Sequence, residues 1–219
     1  MCFTVKFPYY FPPAEYFLDI INCKYLLVAD NFQYIKRSPI NRTVLNQRHT
    51  LTIPVIHEGK FVKINEKKIT YAENWQNKHL KSIYHSYHDS TYFEDYFYIF
   101  EDIIKKNHKF LFGLVYDSLI KLMQCFHINP EIICISNLKF KKNLNLDLIQ
   151  FAEERKLTHF NTIDLYMENF FNSLQHSEKK PEIRYIKKKN SDLYLKNSLD
   201  LLFNFGPEAS FKLRECLIT

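Results

Sequence analysis

Glycine is almost missing from this chain: only Gly59, Gly113 and Gly206 occur among 219 residues. Glycine-rich phosphate loops of the P-loop or dinucleotide-binding kind need backbone free of side chains beside the phosphates, so they are excluded. Barrels and sandwiches, whose many tight turns call for positive φ, are disfavoured as well. Cysteine is scarce and unpatterned. Cys2, Cys23, Cys125, Cys134 and Cys216 are odd in number, widely spaced and without a CxxC pair. Each sits in an apolar setting such as Ile132-Ile133-Cys134-Ile135, which reads as small core thiols in a reducing compartment; no metal is expected. There is no basic start followed by an apolar run, because Lys6, Pro8 and Pro12 interrupt the opening, and no stretch is apolar enough to span a bilayer. The expectation is a cytoplasmic protein.

What is present is apolar and basic. Hydrophobic residues make up 46% of the chain, enough for a sizeable core, and 30 basic against 24 acidic residues leave a net charge of +6. The aromatic excess accompanies a Lys-, Asn- and Ile-rich composition of the kind AT-rich codons give, so it carries no functional signal. Basic residues gather at Lys36, Arg37, Arg42 and Arg48, and again at Lys179, Lys180, Arg184 and Lys187 to Lys189. No recognition motif accompanies them, so a solvated surface is the reading and no nucleic acid is expected as partner.

The order of elements points to an α/β fold: a mixed, partly parallel sheet with a βαβ start, flanking helices and a helical insertion in the middle. Cys2 to Phe7 reads as a strand, Pro8 to Pro13 as a stiff extended turn, and Tyr16, Phe17, Ile20 and Ile21 as the stripe of a helix begun by Pro13. Lys24 to Ala29 is a continuous apolar run ending at Asp30, so Val5 and Leu27 should lie on neighbouring parallel strands. Leu51 to Ile56 and Lys68 to Tyr71 read as strands around a turn at His57-Glu58-Gly59, with Pro54 marking an edge or a bulge. Helical stripes follow at Trp75 to Tyr87, Phe93 to Ile104 and Phe110 to Phe126, within a mainly helical segment 72–128. Then come a strand at Glu131 to Ile135, a helix at Asn145 to Arg155, a strand at Thr158 to Phe160 and a helix at Ile163 to Leu174. The strand Glu182 to Ile186 and a helix through Leu195, Leu199 and Leu202 complete the order. Gly206 fits a positive-φ cap and Pro207 the start of another helix. No repeat or linker divides the chain, so residues 1–219 read as one domain.

Three polar clusters could carry chemistry. The densest runs from Asp30 to Arg42, directly after a buried strand, where α/β folds place their ligands. Asp30 can accept a proton, Lys36 and Arg42 can neutralise phosphate, and Asn41 can both donate and accept; an exposed hairpin kept soluble by its charges would look the same. Trp75 and His79 share a helix face, where the imidazole is either a hydrogen-bonded structural group or a general base. Asp200 and Asn204, also four apart, precede the helix break at Gly206 near Glu208; capping alone accounts for Asn204 and Glu208.

At these clusters the chain resembles the WbqC-like family of O-antigen and related polysaccharide gene clusters. Phe7-Pro8-Tyr9-Tyr10-Phe11-Pro12 matches the family's opening turn, and Gln33-Tyr34-Ile35-Lys36-Arg37-Ser38-Pro39-Ile40-Asn41-Arg42 its QYxKxSxxNR stretch. Leu51-Thr52-Ile53-Pro54-Val55, the Trp75, His79, Ile83, Tyr87 pattern with Tyr92-Phe93, and Ser198 to Ala209 complete five motifs in family order. Two departures stand out. Lys6-Phe7-Pro8 replaces a His-Gln-Pro of many members, and Asn161 to Tyr166 lacks the glycine they carry there. The resemblance implies work on a surface polysaccharide, with transfer of an acyl or aminoacyl group, such as glycyl, to an amino sugar. Such a reaction needs a base, an oxyanion donor and cations for a diphosphate. His79 or Asp30 would be the base and Asn41 or Asn204 the donor. Lys36 and Arg42 would clamp phosphate, with Trp75 and Asp200 at the same pocket. The partner would be a nucleotide-linked or lipid-linked amino sugar; the acyl donor and any cofactor stay unidentified. A non-catalytic sugar- or nucleotide-binding assembly factor is the alternative. Nucleotidyl transfer of the HxGH type ranks last, because Pro13-Ala14-Glu15-Tyr16 lacks the histidines.

Overall fold

Alternation along two short strands sets the layers. In the strand Tyr25–Val28 (β2), Leu26 and Val28 enter one apolar cluster while Tyr25 and Leu27 enter another, and all four are buried. A strand covered on both faces reads as an unbroken apolar run, as this one does, and belongs in a parallel sheet. The computed structural model, which describes residues 1–46, 48–59, 61–138, 144–162, 181–186 and 196–217, bears this out. Cys2–Lys6 (β1) pairs in parallel with β2, with Val5 opposite Leu27. Arg42–Leu45 (β3) and His49–Thr52 (β4) form a separate antiparallel hairpin. Glu131–Cys134 (β5), His159–Thr162 (β6) and Glu182–Tyr185 (β7) complete a parallel sheet in the order β5-β2-β1-β6-β7. The fold is mixed α/β.

Helices Trp75–Tyr87 (α1), Phe93–Lys105 (α2) and Leu111–Cys125 (α3) form the insertion between the hairpin and β5. Their buried stripes (Trp75, Leu80, Ile83 and Tyr87 on α1; Phe100, Ile103 and Ile104 on α2) pack with Leu26 and Val28 into the larger cluster. Leu148, Ile149 and Phe151 of Leu144–Glu154 (α4) cover the opposite face. Ser198–Phe205 (α5) and Ala209–Glu215 (α6) close the larger cluster. Gly206 between them has φ +49, and a Cβ there would stand 2.5 Å from the Tyr92 ring, so both backbone and space demand glycine.

Three expectations need correction. The first crossover holds no α-helix: Ala14–Phe17 is a single 3₁₀ turn followed by further turns. Tyr16, Phe17, Leu18, Asp19 and Ile20 are all buried, and one face of an α-helix cannot bury five residues in succession. The strand expected over Leu51 to Ile56 ends at Thr52, ahead of Pro54, which has no N–H to give a ladder. Lys68 to Tyr71 makes only isolated bridges, Val55 with Ile69 and Lys68 with Phe110. The helix expected at Ile163 to Leu174 and the lysines at 179, 180 and 187–189 lie outside the described residues.

Candidate functional site

Asp30 leaves the sheet at the carboxyl end of β2 and ties three segments together. Its carboxylate accepts from the Ser136 N–H at 2.9 Å, from the Ser136 hydroxyl, and from Asn65 Nδ2 at 3.1 Å. Its own carbonyl accepts from Asn65 N–H at 2.9 Å. Asp30 thus joins the ends of neighbouring strands β2 and β5 to the 3₁₀ turn Ile64–Glu66 and is 1% exposed.

From Asp30 the chain runs antiparallel to residues 62–65. Tyr34 N–H donates to Val62 O, Ile64 N–H to Phe32 O, and Gln33 bridges Lys63. Residues 55–56 are held in turn by Lys68 and Ile69. These anchored segments line an open-mouthed cavity of about 330 Å³, within the size range of small-molecule sites. Its lining includes Gln33, Tyr34 and Lys36, Val55 to His57, Phe61, Val62 and Lys67.

The cavity's polar groups are left without partners. Lys67 is only 4% exposed, yet no described carboxylate lies within ion-pair distance of it; its ammonium stands over the Tyr34 ring, 5.4 Å from the centroid. The nearby Glu58 carboxylate is taken by Lys68 at 2.6 Å, and that hydrogen bond is the main reason Glu58 is held below the usual carboxylate range. The Tyr34 hydroxyl is buried without a hydrogen-bond partner among the described residues, and burial pushes its pKa up to about 12, so it remains a donor. A buried hydroxyl without a partner is costly unless something outside the chain completes it, and the Lys67 ammonium beside it is a cation without an ion-pair partner among the described residues.

The other sequence-derived candidates gather elsewhere, around the β3–β4 hairpin. His79 is buried under it, with Nε2 3.3 Å from the Thr52 carbonyl and Nδ1 3.0 Å from the Tyr10 hydroxyl. A carbonyl only accepts, so Nε2 carries the proton and Nδ1 receives the Tyr10 O–H. Burial pushes the imidazole down to about pH 4, against the pull of the Thr52 carbonyl, and it is neutral near pH 7. Trp75 packs edge-on against it, centroids 5.0 Å apart. Arg42 opens β3 opposite Thr52 with an exposed side chain, and Asn41 is buried, donating from Nδ2 to Ile53 O at 2.9 Å.

Asp200 belongs to the same side through a residue the sequence reading passed over. Asn197 caps α5: its Oδ1 accepts from Leu199 N–H, while the Asp200 carboxylate accepts from Asn197 N–H at 2.8 Å. Its Nδ2 reaches Phe11 O at 2.8 Å and Thr43 Oγ1 at 2.7 Å. Thr43 also donates to Phe11 O, so two donors hold Phe11 at a φ of +41. Burial raises the Asp200 pKa. Asn204 is exposed and donates back to Asp200 O at 2.7 Å.

The predicted residues therefore divide. His79, Trp75, Asn41, Arg42 and Asp200 meet around the hairpin, whereas Lys36 lines the cavity and Asp30 braces it from below. Lys6, where many relatives of the resembled family carry histidine, pairs with buried Asp19 at 2.6 Å, an ion pair that joins β1 to the crossover. Among the described residues no group of three or more His, Cys, Asp or Glu converges as metal ligands would.

Family motifs supply part of both regions: 33–42 for cavity and hairpin, 51–55 for the hairpin's second strand, 75–87 for the helix beneath it, and 198–209 for the clasp helix that Asn197 caps, while residues 56–67 of the cavity lie outside them. A model of the WbqC-like protein family matches residues 7–211. The chain belongs to the WbqC-like protein family. A comparison with curated proteins and with solved structures finds no match. WbqC-like membership supports an association with polysaccharide biosynthesis. Among the described residues no helix is long and apolar enough to cross a membrane.

Proposed function

We propose that this WbqC-like protein transfers an acyl or aminoacyl group to the amine of a diphosphate-linked sugar whose phosphates lie in the Lys36–Lys67 cavity. The observation that carries the reading is Lys67, a residue only 4% exposed whose ammonium stands over the Tyr34 ring at the cavity, beside a tyrosine hydroxyl without a hydrogen-bond partner among the described residues. Lysine suits phosphate as a compact point charge, Lys36 in the same lining adds a second, and Tyr34 offers a hydrogen bond. In the transfer step the sugar nitrogen attacks the donor's carbonyl carbon. A C–N bond forms, the leaving group departs with the electron pair of its bond to that carbon, and a base takes the ammonium proton. His57 is the histidine that lines the cavity, so the base role goes to it rather than to His79 or Asp30, whose polar atoms are engaged by the chain. Arg42, Asn41 and Asn204 keep a supporting role at the hairpin and clasp.

The same engagement favours a second reading, a non-catalytic carrier-binding factor: the cavity binds, and the chain's most buried titratable groups only hold it in shape. Incubation of the purified protein with amino-sugar diphosphates and acyl donors separates the two by mass. A gain of one acyl group, lost in His57→Ala but with binding kept, supports transfer. Binding with no product under any donor supports the second reading, and absence of both contradicts the site.

A further inference from the structure

We propose that the carrier seated in this cavity is a lipid diphosphate rather than a nucleotide; the inference rests on the diphosphate reading above. Apart from the lysines, Gln33, Tyr34 and His57, the lining is apolar: Val55, Ile56, Phe61 and Val62 carry no polar side-chain atom. Two of them face water at the mouth, Phe61 at 77% and Ile56 at 41% exposure, and Ile35, next to Lys36 in the chain, is 65% exposed. Scattered exposed apolar residues need no explanation, but here two of them line the same cationic cavity.

Phe61 adds an independent observation. Its φ of +68 is a conformation that a bulky side chain adopts only under strain, and its ring gains almost no burial inside the chain in return. A contact from outside would supply that burial. Which ligand fits follows from the division of chemistry. The cations serve a diphosphate, and aliphatic walls with an aromatic lip serve a hydrocarbon chain leaving it. A nucleobase would instead need fixed donors and acceptors for its edge, and the cavity's remaining polar side chains, Gln33 and His57, are exposed.

Titration calorimetry with inorganic diphosphate, uridine diphosphate and farnesyl diphosphate tests this on the full chain. Farnesyl diphosphate should bind at least about tenfold more tightly than inorganic diphosphate. Phe61→Ser together with Ile56→Ser should erase that difference and leave inorganic diphosphate unchanged, whereas Lys67→Met should weaken all three. Both mouth positions are solvent-exposed, and an unchanged melting temperature verifies that the double variant folds. Uridine diphosphate binding as tightly as farnesyl diphosphate, or a double variant that keeps the preference, overturns the lipid inference and leaves the diphosphate reading standing. Failure of all three ligands to bind overturns the underlying reading as well.

Discussion

Two regions of this molecule bury polar side chains, and they do so in opposite ways. At the clasp, Asn197, Thr43, Tyr10 and His79 spend their polar groups on the chain itself: on Phe11, Thr52, Leu199 and one another. At the cavity, Lys67 is as deeply set and Tyr34 is half-buried, yet among the described residues the ammonium has no ion-pair partner and the Tyr34 hydroxyl no hydrogen-bond partner. A satisfied network is a fastening. An unsatisfied one is half of an interaction whose other half is a ligand. Polar burial alone therefore does not mark a functional site here. A missing partner alone does not either, since Asn41 Oδ1 and Trp75 Nε1 at the hairpin also lack one among the described residues. What sets the cavity apart is an unpartnered hydroxyl beside a cation at a cavity.

The comparison breaks first at Asn197. Asn197→Ala removes the α5 cap and leaves Phe11 O with one donor fewer at a strained φ, which should cost about 3 kcal/mol in denaturant unfolding. Diphosphate affinity of the folded fraction should not change; a loss of affinity at unchanged stability would place Asn197 in the site instead.

His79 offers a smaller effect with a definite sign. Its folded pKa, about 4, lies below the unfolded value near 6.5, so the unfolded chain binds more protons between those limits. Stability from the neutral imidazole is present in full above about pH 6.5 and is lost as pH falls towards 4, by about 2–3 kcal/mol. His79→Gln should flatten the unfolding free energy across that window. An equally steep profile in the variant would assign the slope to other groups.

Much of this arrangement is legible in the residues. A continuous apolar run identifies β2, the order strand, crossover, strand makes β1 its parallel neighbour, and stripes at helical spacing place α1, α2 and α3, because burial on two faces or on one leaves a distinct period. The β3–β4 hairpin escapes because Arg42, Arg48 and His49 make it read as a charged surface, although Arg42–Leu45 alternates exposed and buried in strand fashion. The crossover misleads because Tyr16, Phe17, Ile20 and Ile21 have helical spacing, while the intervening Leu18 and Asp19 are buried too. At the site, Lys36 is reachable through its motif. Lys67 is one cation among thirty, distinguished only by standing between Ile64 and Ile69 in a stretch whose apolar residues turn inward. Asn197 is similarly lost among many asparagines, since a cap is visible in sequence only once the helix start is known.

The most direct test of the contrast is Lys67→Met. Methionine keeps the aliphatic length against Tyr34 and removes a charge without an ion-pair partner among the described residues from a largely buried stem, so unfolding free energy should stay level or rise by up to about 1 kcal/mol. Binding of inorganic diphosphate should fall beyond detection in the same protein. A stable variant that no longer binds is the predicted result; a variant that loses stability while binding diphosphate as before would contradict it, and would make Lys67 another fastening of the fold.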